Sequence, residues 1–194
     1  MSARWNHNLH YHRLVLAAVP SGAQTALDLG CGEGILTRDL RTCVPQVTGI
    51  DLDEPSLALA REAGGDITYV RGDVMTALLE PADLVASIAT LHHLDARPAL
   101  RRFAELVAPG GRLVIVGLAR SDGMRDAPRE AAAVAAHAVA VRRRGYWEHS
   151  APQVWPPPET YAAMRAIVHD ELPGAQFRRH LYWRWSLVWD RPTA

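Results

Sequence analysis

The sequence predicts an α/β fold built on a mainly parallel sheet. From residue 25 to residue 118, short apolar segments alternate with helix-compatible segments, and repeated strand–helix units form parallel sheets with right-handed crossovers. A glycine-rich turn follows the first apolar segment, as in nucleotide-binding folds. Two short strands near the C-terminus, at 176–181 and 184–189, predict a closing hairpin. A chain of 194 residues is expected to form one domain.

Composition and charge exclude several classes of partner. Lys+Arg and Asp+Glu both total 21, so no overall charge attracts nucleic acid or an acidic membrane. The polar N-terminus does not resemble a signal peptide, and the longest apolar stretch, 131–141, is too short to span a bilayer. The two cysteines predict neither a disulfide framework nor a metal site. We therefore expect a cytoplasmic protein without a membrane or nucleic-acid partner, and the oligomeric state stays open.

The N-terminal segment is rich in histidine. Residues 4–19 are predicted to form one helix, on which His7, His10 and Tyr11 share a face. A solvated helix, a zinc site and a helix that closes over a ligand would all fit this pattern, although a zinc site needs more ligands than these. We expect residues 1–20 to act as a cover helix.

The first strand and its glycine turn form the sequence LDLGCGEG, residues 27–34. Glycine tolerates positive φ angles and lets a ligand approach the backbone closely. The spacing of Gly30, Gly32 and Gly34 differs from the Gly-x-Gly-x-x-Gly of dinucleotide-binding proteins. Asp28 lies just before the turn, where a carboxylate would repel a pyrophosphate and suit a positively charged ligand.

Acidic residues end the next two predicted strands. Asp51 lies 21 residues after Gly30, the offset of the carboxylate that accepts hydrogen bonds from a ribose diol. Asp53 is followed by Glu and Pro and is predicted to be a helix N-cap. Asp73 could accept a hydrogen bond from an adenine amino group, or it could be a loop or capping residue.

The region from 120 to 158 interrupts the strand–helix alternation. It is predicted to contain a helix over 129–144 and an aromatic segment, and it has no strand of its own. We interpret it as a lid insertion within a single domain. Four aromatic residues in or just after this region could line an apolar pocket or pack in the core. They are Tyr146, Trp147, Trp155 and Tyr161.

Motifs and their order together resemble the class I S-adenosylmethionine-dependent methyltransferases, most of all the small-molecule C-methylases of ubiquinone and menaquinone synthesis. That resemblance implies a Rossmann-like doubly wound sheet of seven strands, mostly parallel, with an antiparallel C-terminal strand beside the fifth. It implies S-adenosylmethionine as cofactor and S-adenosylhomocysteine as product. The matching segments are LDLGCGEG at 27–34, GID at 49–51, GD at 72–73, LHHL at 91–94 and LVAPGGRL at 106–113.

The resemblance also implies roles for individual residues. Residues 30–32 would pass under the methionine end of the cofactor, whose ammonium Asp28 and the Ala89 carbonyl would face. Asp51 would hold the ribose hydroxyls, and Asp73 would meet the adenine amine. The residues expected to contact the cofactor are Tyr11, Asp28, Gly30, Cys31, Gly32, Asp51, Leu52, Asp73, Val74 and Ala89.

Two adjacent histidines follow the fourth strand, 82–89, where this architecture places its chemistry. His93 and then His92 are the candidate catalytic bases, because histidine can remove a proton from an acceptor near neutral pH. Either histidine could instead cap a helix or bond to the backbone.

The implied function is methyl transfer to a small, partly apolar acceptor by in-line displacement. An Asn-Pro-Pro-Tyr motif is missing after the fourth strand, which disfavours methylation of nucleic-acid bases. A nicotinamide dehydrogenase is disfavoured by the glycine spacing and by Asp28. The remaining alternative is a non-catalytic S-adenosylmethionine-binding or accessory protein.

Overall fold

A computed structural model describes residues 5–147 and 155–193. Within these residues, seven strands form one sheet in the order β3-β2-β1-β4-β5-β7-β6, and every neighbouring pair is parallel except those that involve β7. The predicted Rossmann-like sheet with an antiparallel last strand is therefore confirmed. The strands are β1 Thr25–Leu29, β2 Gln46–Asp51, β3 Thr68–Arg71, β4 Ala82–Ile88, β5 Val107–Leu118, β6 Gln176–Arg179 and β7 Arg184–Asp190.

Helices cover both faces of this sheet. The α-helices are α1 His7–His10, α2 His12–Ala17, α3 Ile35–Arg41, α4 Glu54–Glu62, α5 Ala96–Glu105, α6 Ala127–Arg144 and α7 Tyr161–Glu171. Short 3₁₀ turns cover Leu91–His93 and Met124–Asp126. Among the described helices, none has the length and apolar character needed to cross a membrane. The predicted N-cap is confirmed, because Asp53 accepts a hydrogen bond from Ser56 N at the start of α4.

The prediction of one N-terminal helix over 4–19 is wrong. The chain leaves helical geometry at Tyr11, where φ is −96° and ψ is 0°, and two short helices result. The physical reason is that the Tyr11 ring is buried and its hydroxyl donates to the Leu181 carbonyl at 2.8 Å. A tertiary contact thus overrides the local helical preference at this position.

Two hydrophobic clusters fill the space between the sheet and the helices. One contains Phe103 and Trp185, both fully buried. The other contains Trp5, Tyr11 and Val15 from the N-terminal segment. The expected cover is therefore anchored in the core by three of its own side chains.

Candidate active site

One large cavity, about 750 Å³ in volume, opens at the carboxyl ends of the parallel strands. It brings together residues that are far apart in the sequence, from the glycine turn to the C-terminal hairpin. Of the residues singled out from the sequence as cofactor-binding or catalytic, it is lined by Asp28, Gly30, Cys31, Gly32, Asp51, Leu52, Asp73, Val74, Ala89, His92 and His93.

Tyr11 is the one predicted cofactor residue that does not line this cavity. Its ring is 6% exposed, and its hydroxyl is committed to Leu181. We therefore leave Tyr11 out of the candidate site and regard it as a core residue.

The glycine turn presents bare backbone to the cavity. The amides of Gly30 and Cys31 donate to the Ile50 carbonyl at 2.8 and 3.0 Å, which fixes the turn against β2. Gly30 has a φ of +74°, and a side chain there would collide with Thr90. Gly32 has a φ of +51°, and a Cβ atom at this position would have no neighbour within 4 Å. The space above Gly32 is thus open for a ligand.

Two carboxylates flank the turn. Asp28 is 2% exposed and accepts a hydrogen bond from Thr37 Oγ1 at 2.7 Å. Burial raises the pKa of Asp28 to about 6, against the opposing effect of that hydrogen bond. Asp51 accepts from Gly32 N at 2.7 Å and from Asp53 N at 2.9 Å. A cationic ligand would relieve the cost of burying Asp28 in its charged form.

Asp73 has a local partner as well as a place in the cavity wall. Its Oδ1 atom accepts a hydrogen bond from Met75 N at 2.9 Å. Asp73 therefore forms the local hydrogen bond expected of a loop aspartate. Its second carboxylate oxygen, Oδ2, is the one that a ligand could use. Leu52, at 64% exposure, is an exposed apolar side chain that also lines the cavity.

The end of β4 carries backbone strain. Ala89 has a φ of +57°, a left-handed value that is unfavourable for any residue with a Cβ atom. Its amide donates to Val116 O at 2.8 Å, and the next side chain, Thr90, bonds to Leu29 O at 3.1 Å. Strained residues of this kind persist where the surroundings hold them and are concentrated at functional sites.

The two histidines follow directly in the turn Leu91–His93. His92 is buried, which lowers its pKa to about 4. Its Nδ1 atom has no hydrogen-bond partner among the described residues. Burial also lowers the pKa of His93, while the charge of Asp51 raises it. Both imidazoles are therefore neutral near pH 7 and could accept a proton, and His93 is the better base because a pKa of about 4 makes His92 a weak one.

The N-terminal segment and the described part of the 120–158 region contact each other beside the cavity, which His7 and Trp147 line. Trp147 N donates to Trp5 O at 2.8 Å, and His7 Nε2 lies 3.0 Å from His137 Nδ1. His7 also stacks on Tyr182, with ring centroids 4.8 Å apart. Burial lowers the pKa of His7 to about 3, so this contact is made by a neutral ring.

The aromatic residues of the 120–158 region and its flank divide into two groups. Tyr146, Trp147 and Trp155 line the cavity, whereas Tyr161 is 4% exposed and packs in the core. His149 and the rest of 148–154, like residues 1–4, lie outside the described residues. In the part of the chain that is described, no three His, Cys, Asp or Glu side chains come together as a metal site.

Sequence reasoning missed Arg184, which lines the cavity beside Trp183. Tyr182 and Trp183 have φ values of 57° and 56°, and Arg184 N bonds back to Leu181 O at 3.3 Å. This is the geometry of a type I′ turn, here built without glycine. An arginine at the start of a strand is ordinary in a sequence. Only the pairing of Arg184 with Leu118, at the cavity end of β5, reveals its place.

Residues 27–115 match the family model of a methyltransferase domain. An uncharacterized methyltransferase of Mycobacterium tuberculosis is 43% identical over 198 residues, with both chains covered completely. A ubiquinone biosynthesis O-methyltransferase of Cronobacter sakazakii is 32% identical over 126 residues, which cover 59% of this chain and 52% of that protein.

Solved structures show the same fold at low sequence identity. The N-methyltransferase NodS from Bradyrhizobium japonicum, in complex with S-adenosylhomocysteine, has a TM-score of 0.65 at 18% identity, covering 95% of this chain and 87% of that one. The amino pentose methyltransferase CalS10 from Micromonospora echinaspora, with S-adenosylmethionine bound, has a TM-score of 0.63 at 20% identity, covering 95% and 89%.

Proposed function

Because this chain belongs to the class I S-adenosylmethionine-dependent methyltransferases, we propose that it methylates a small, partly apolar acceptor within the cavity described above. Its cofactor is S-adenosylmethionine and its product is S-adenosylhomocysteine. The full-length similarity to a methyltransferase supports one catalytic domain over 1–194. In that domain, residues 1–20 and 120–158 form a common cover.

The residues at the glycine turn fit this cofactor. The open space above Gly32 would accept the methionine portion, and the buried Asp28 would pair with its ammonium. The Asp51 carboxylate would bind the ribose hydroxyls. The adenine would lie between Leu52 and Val74, with its amino group on Asp73. The observation that carries the assignment is the pair of carboxylates, Asp28 and Asp51, on either side of a bare glycine turn.

Methyl transfer requires the protein mainly to position the acceptor and the cofactor. When bound, S-adenosylmethionine supplies a methyl group on a sulfonium, which is a good leaving group. The cavity residues would hold the acceptor in line with that methyl group and exclude water. His93 would accept the proton that a hydroxyl or ammonium acceptor loses. Its neutral state near pH 7, together with its place in the cavity wall, supports this role.

The side chains at the acceptor end of the cavity favour binding of a partly apolar ligand. Trp147, Trp155 and Trp183 provide flat aromatic surface there, and such surface binds apolar and aromatic molecules well. The wall is formed by side chains of the N-terminal segment, the 120–158 region and the C-terminal hairpin.

Two measurements test the proposal. Calorimetry should show binding of S-adenosylmethionine and S-adenosylhomocysteine and no binding of NAD. Incubation of the protein and methyl-labelled cofactor with a small-molecule extract should move label into extractable compounds of low mass. Cofactor binding without any transfer would favour the non-catalytic alternative, and NAD binding alone would overturn the assignment.

A further inference from the structure

The guanidinium of Arg184 is buried in the cavity wall, and its hydrogen-bond partners among the described residues are neutral. Arg184 is 7% exposed. It donates from Nε and Nη2 to Asn8 Oδ1, at 3.3 and 2.7 Å, and from Nη1 to Tyr182 O at 3.1 Å. Among the described residues, no carboxylate lies within ion-pair distance of it. Burial lowers its pKa to about 10, so the group is still charged near pH 7.

An unpaired buried charge is costly, because desolvation is not offset by a counter-ion. Another largely buried arginine, Arg179, has a counter-ion, because it forms an ion pair with Asp126 at 2.6 Å. Arg184 has no such partner in the described part of the chain, and it lines the cavity. A counter-charge brought by a ligand would remove this cost.

The hydrogen bonds of Arg184 within the protein leave two of its N–H donors free. A guanidinium has five N–H groups, and three of them are used within the protein. The two that remain are one on Nη1 and one on Nη2. A carboxylate can accept hydrogen bonds from two N–H groups of one guanidinium, so these two donors are available to the carboxylate of a ligand.

The backbone that presents Arg184 is held in a strained conformation. Tyr182 and Trp183 both have positive φ without being glycine. Their side chains are fixed from outside the turn, since Tyr182 stacks on His7 and Trp183 Nε1 donates to Glu130 at 2.6 Å. The protein thus holds a costly turn in place, and that turn sets the position of the buried cation.

We propose that Arg184 binds a carboxylate of the acceptor, so that the substrate is a small apolar or aromatic carboxylic acid. This inference rests on the proposed function and names the class of acceptor for that same cavity. Arg184 is the only Arg or Lys in the described cavity wall. One guanidinium matches a single carboxylate better than a phosphate, which usually carries two charges.

The carboxylate of the cofactor itself is the competing ligand for Arg184. Arg184 begins β7, and the sheet order places β4 and β5 between β7 and the glycine turn of β1. Three strand spacings correspond to about 14 Å, so Arg184 lies on the acceptor side of the cavity. The methionine end of the cofactor belongs at the glycine turn.

The test compares matched probes on the protein loaded with S-adenosylhomocysteine. Benzoate, 2-hydroxybenzoate and 4-hydroxybenzoate are titrated by calorimetry beside benzamide and the two hydroxybenzamides, which keep the shape and lack the charge. We expect at least one carboxylate to bind at least about tenfold tighter than its amide. This ratio of affinities corresponds to the free energy of a hydrogen bond to a charged group. Equal affinities within every pair, or no carboxylate binding, would overturn the proposal.

Two variants locate the effect at Arg184. Arg184→Gln should lose the preference for the carboxylate, and Arg184→Lys should keep part of it, because a lysine keeps the charge and loses the fork. Both should bind S-adenosylhomocysteine within about threefold of the wild type, a change worth under 1 kcal/mol. A variant whose denaturant unfolding shows it to be misfolded is set aside, and the wild-type pairs still decide.

The outcomes separate this inference from the proposed function. Failure of the wild type to bind S-adenosylhomocysteine would overturn the proposed function. Normal S-adenosylhomocysteine binding without carboxylate preference would overturn only the role of Arg184. A large loss of S-adenosylhomocysteine affinity in a folded Arg184→Gln protein would assign the guanidinium to the cofactor instead.

Discussion

The amide of Gly32 donates to the Asp51 carboxylate across 2.7 Å, and this bond ties the glycine turn after β1 to the end of β2. The same carboxylate accepts from Asp53 N at 2.9 Å through its other oxygen. Asp51 therefore shapes the floor of the cavity before any ligand binds, and it lines the cavity where the ribose is proposed to lie.

Replacing Asp51 should weaken cofactor binding without unfolding the protein. Asp51→Ala removes the acceptor for two ribose hydroxyls and frees the Gly32 amide, at a cost of roughly 2–4 kcal/mol of binding free energy. Calorimetry with S-adenosylhomocysteine should therefore show more than a tenfold loss of affinity.

Asp53→Ala is the matched control, two residues away. It removes the N-cap of α4, which accepts from Ser56 N and Oγ. We expect a loss of about 1 kcal/mol in the free energy of unfolding and nearly unchanged affinity for S-adenosylhomocysteine. The assignment of the two aspartates is reversed if Asp53→Ala harms binding more than Asp51→Ala does.

A methyl group at Gly32 should block the cofactor. Gly32→Ala places a Cβ in space that is open in the protein alone and that the methionine portion would fill. Gly22→Ala is the control, since Gly22 also has a positive φ and open surroundings but does not line the cavity. Each should lose about 1–2 kcal/mol of stability through the left-handed backbone. Only Gly32→Ala should lose affinity for S-adenosylhomocysteine, and equal affinities in the two variants would place the ligand elsewhere.

Most of this region could be predicted because its signals are local. The glycine turn, the Asp53 cap and the strand-end position of Asp51 all follow from residues next to one another in the sequence. The number of strands and the antiparallel last strand beside the fifth followed from the family resemblance and are confirmed.

The parts that escaped prediction depend on contacts between distant segments. Tyr11 interrupts a helix because it reaches Leu181, and Arg184 joins the cavity because β7 pairs with β5. The positive φ of Ala89, Tyr182 and Trp183 has no sequence signal, since residues with a Cβ rarely adopt it. Such features are imposed by packing and become visible only in the folded chain.

Asp28 should make stability depend on pH. Its pKa is raised from 3.8 to about 6 in the folded state, so between these values the unfolded chain is ionised while the folded one is still protonated. The folded state is therefore destabilised as pH rises from about 4 to 6, and the loss stays constant above that range. A shift of about two units corresponds to roughly 3 kcal/mol.

Asp28→Asn isolates this contribution, because asparagine keeps an acceptor for Thr37 and cannot ionise. The unfolding free energy of the variant, relative to the wild type, should increase by about 3 kcal/mol between pH 4 and pH 7. Denaturant unfolding of both proteins measures it. Parallel pH curves would show that Asp28 keeps an ordinary pKa.

The same aspartate should couple cofactor affinity to pH. An ammonium bound beside Asp28 favours its ionised form, so binding below about pH 6 must release the proton that Asp28 holds. The affinity of the wild type for S-adenosylhomocysteine should fall as pH decreases from 6 to 5. In Asp28→Asn this part of the pH dependence should disappear, and its persistence would assign the effect to another group.

His93 should affect turnover and not cofactor binding. With an acceptor that must lose a proton, His93→Ala should lower kcat about 10²-fold or more and leave S-adenosylhomocysteine affinity unchanged. The wild-type rate should rise with pH as His93 loses its proton. The rate should become constant at a pH below the ordinary pKa of histidine, because burial lowers the pKa of His93. His92→Ala, made beside it, should retain more activity, and a larger loss in His92→Ala would exchange the two roles.

The contact between Trp5 and Trp147 should report closure of the cover. The Trp147 amide, which bonds to Trp5 O at 2.8 Å, is expected to exchange with deuterium more slowly once S-adenosylhomocysteine and an acceptor fill the cavity beneath it. Asn6→Ser tests the coupling. Serine can still cap α1 as Asn6 does for Leu9 N, but it lacks the amide that reaches Trp147 O at 3.4 Å. The variant should keep its fold, and its Trp147 amide should gain less protection when the ligands bind. Exchange at Trp147 that ignores ligands in the wild type would show that the two segments are a fixed wall of the cavity and do not close over it.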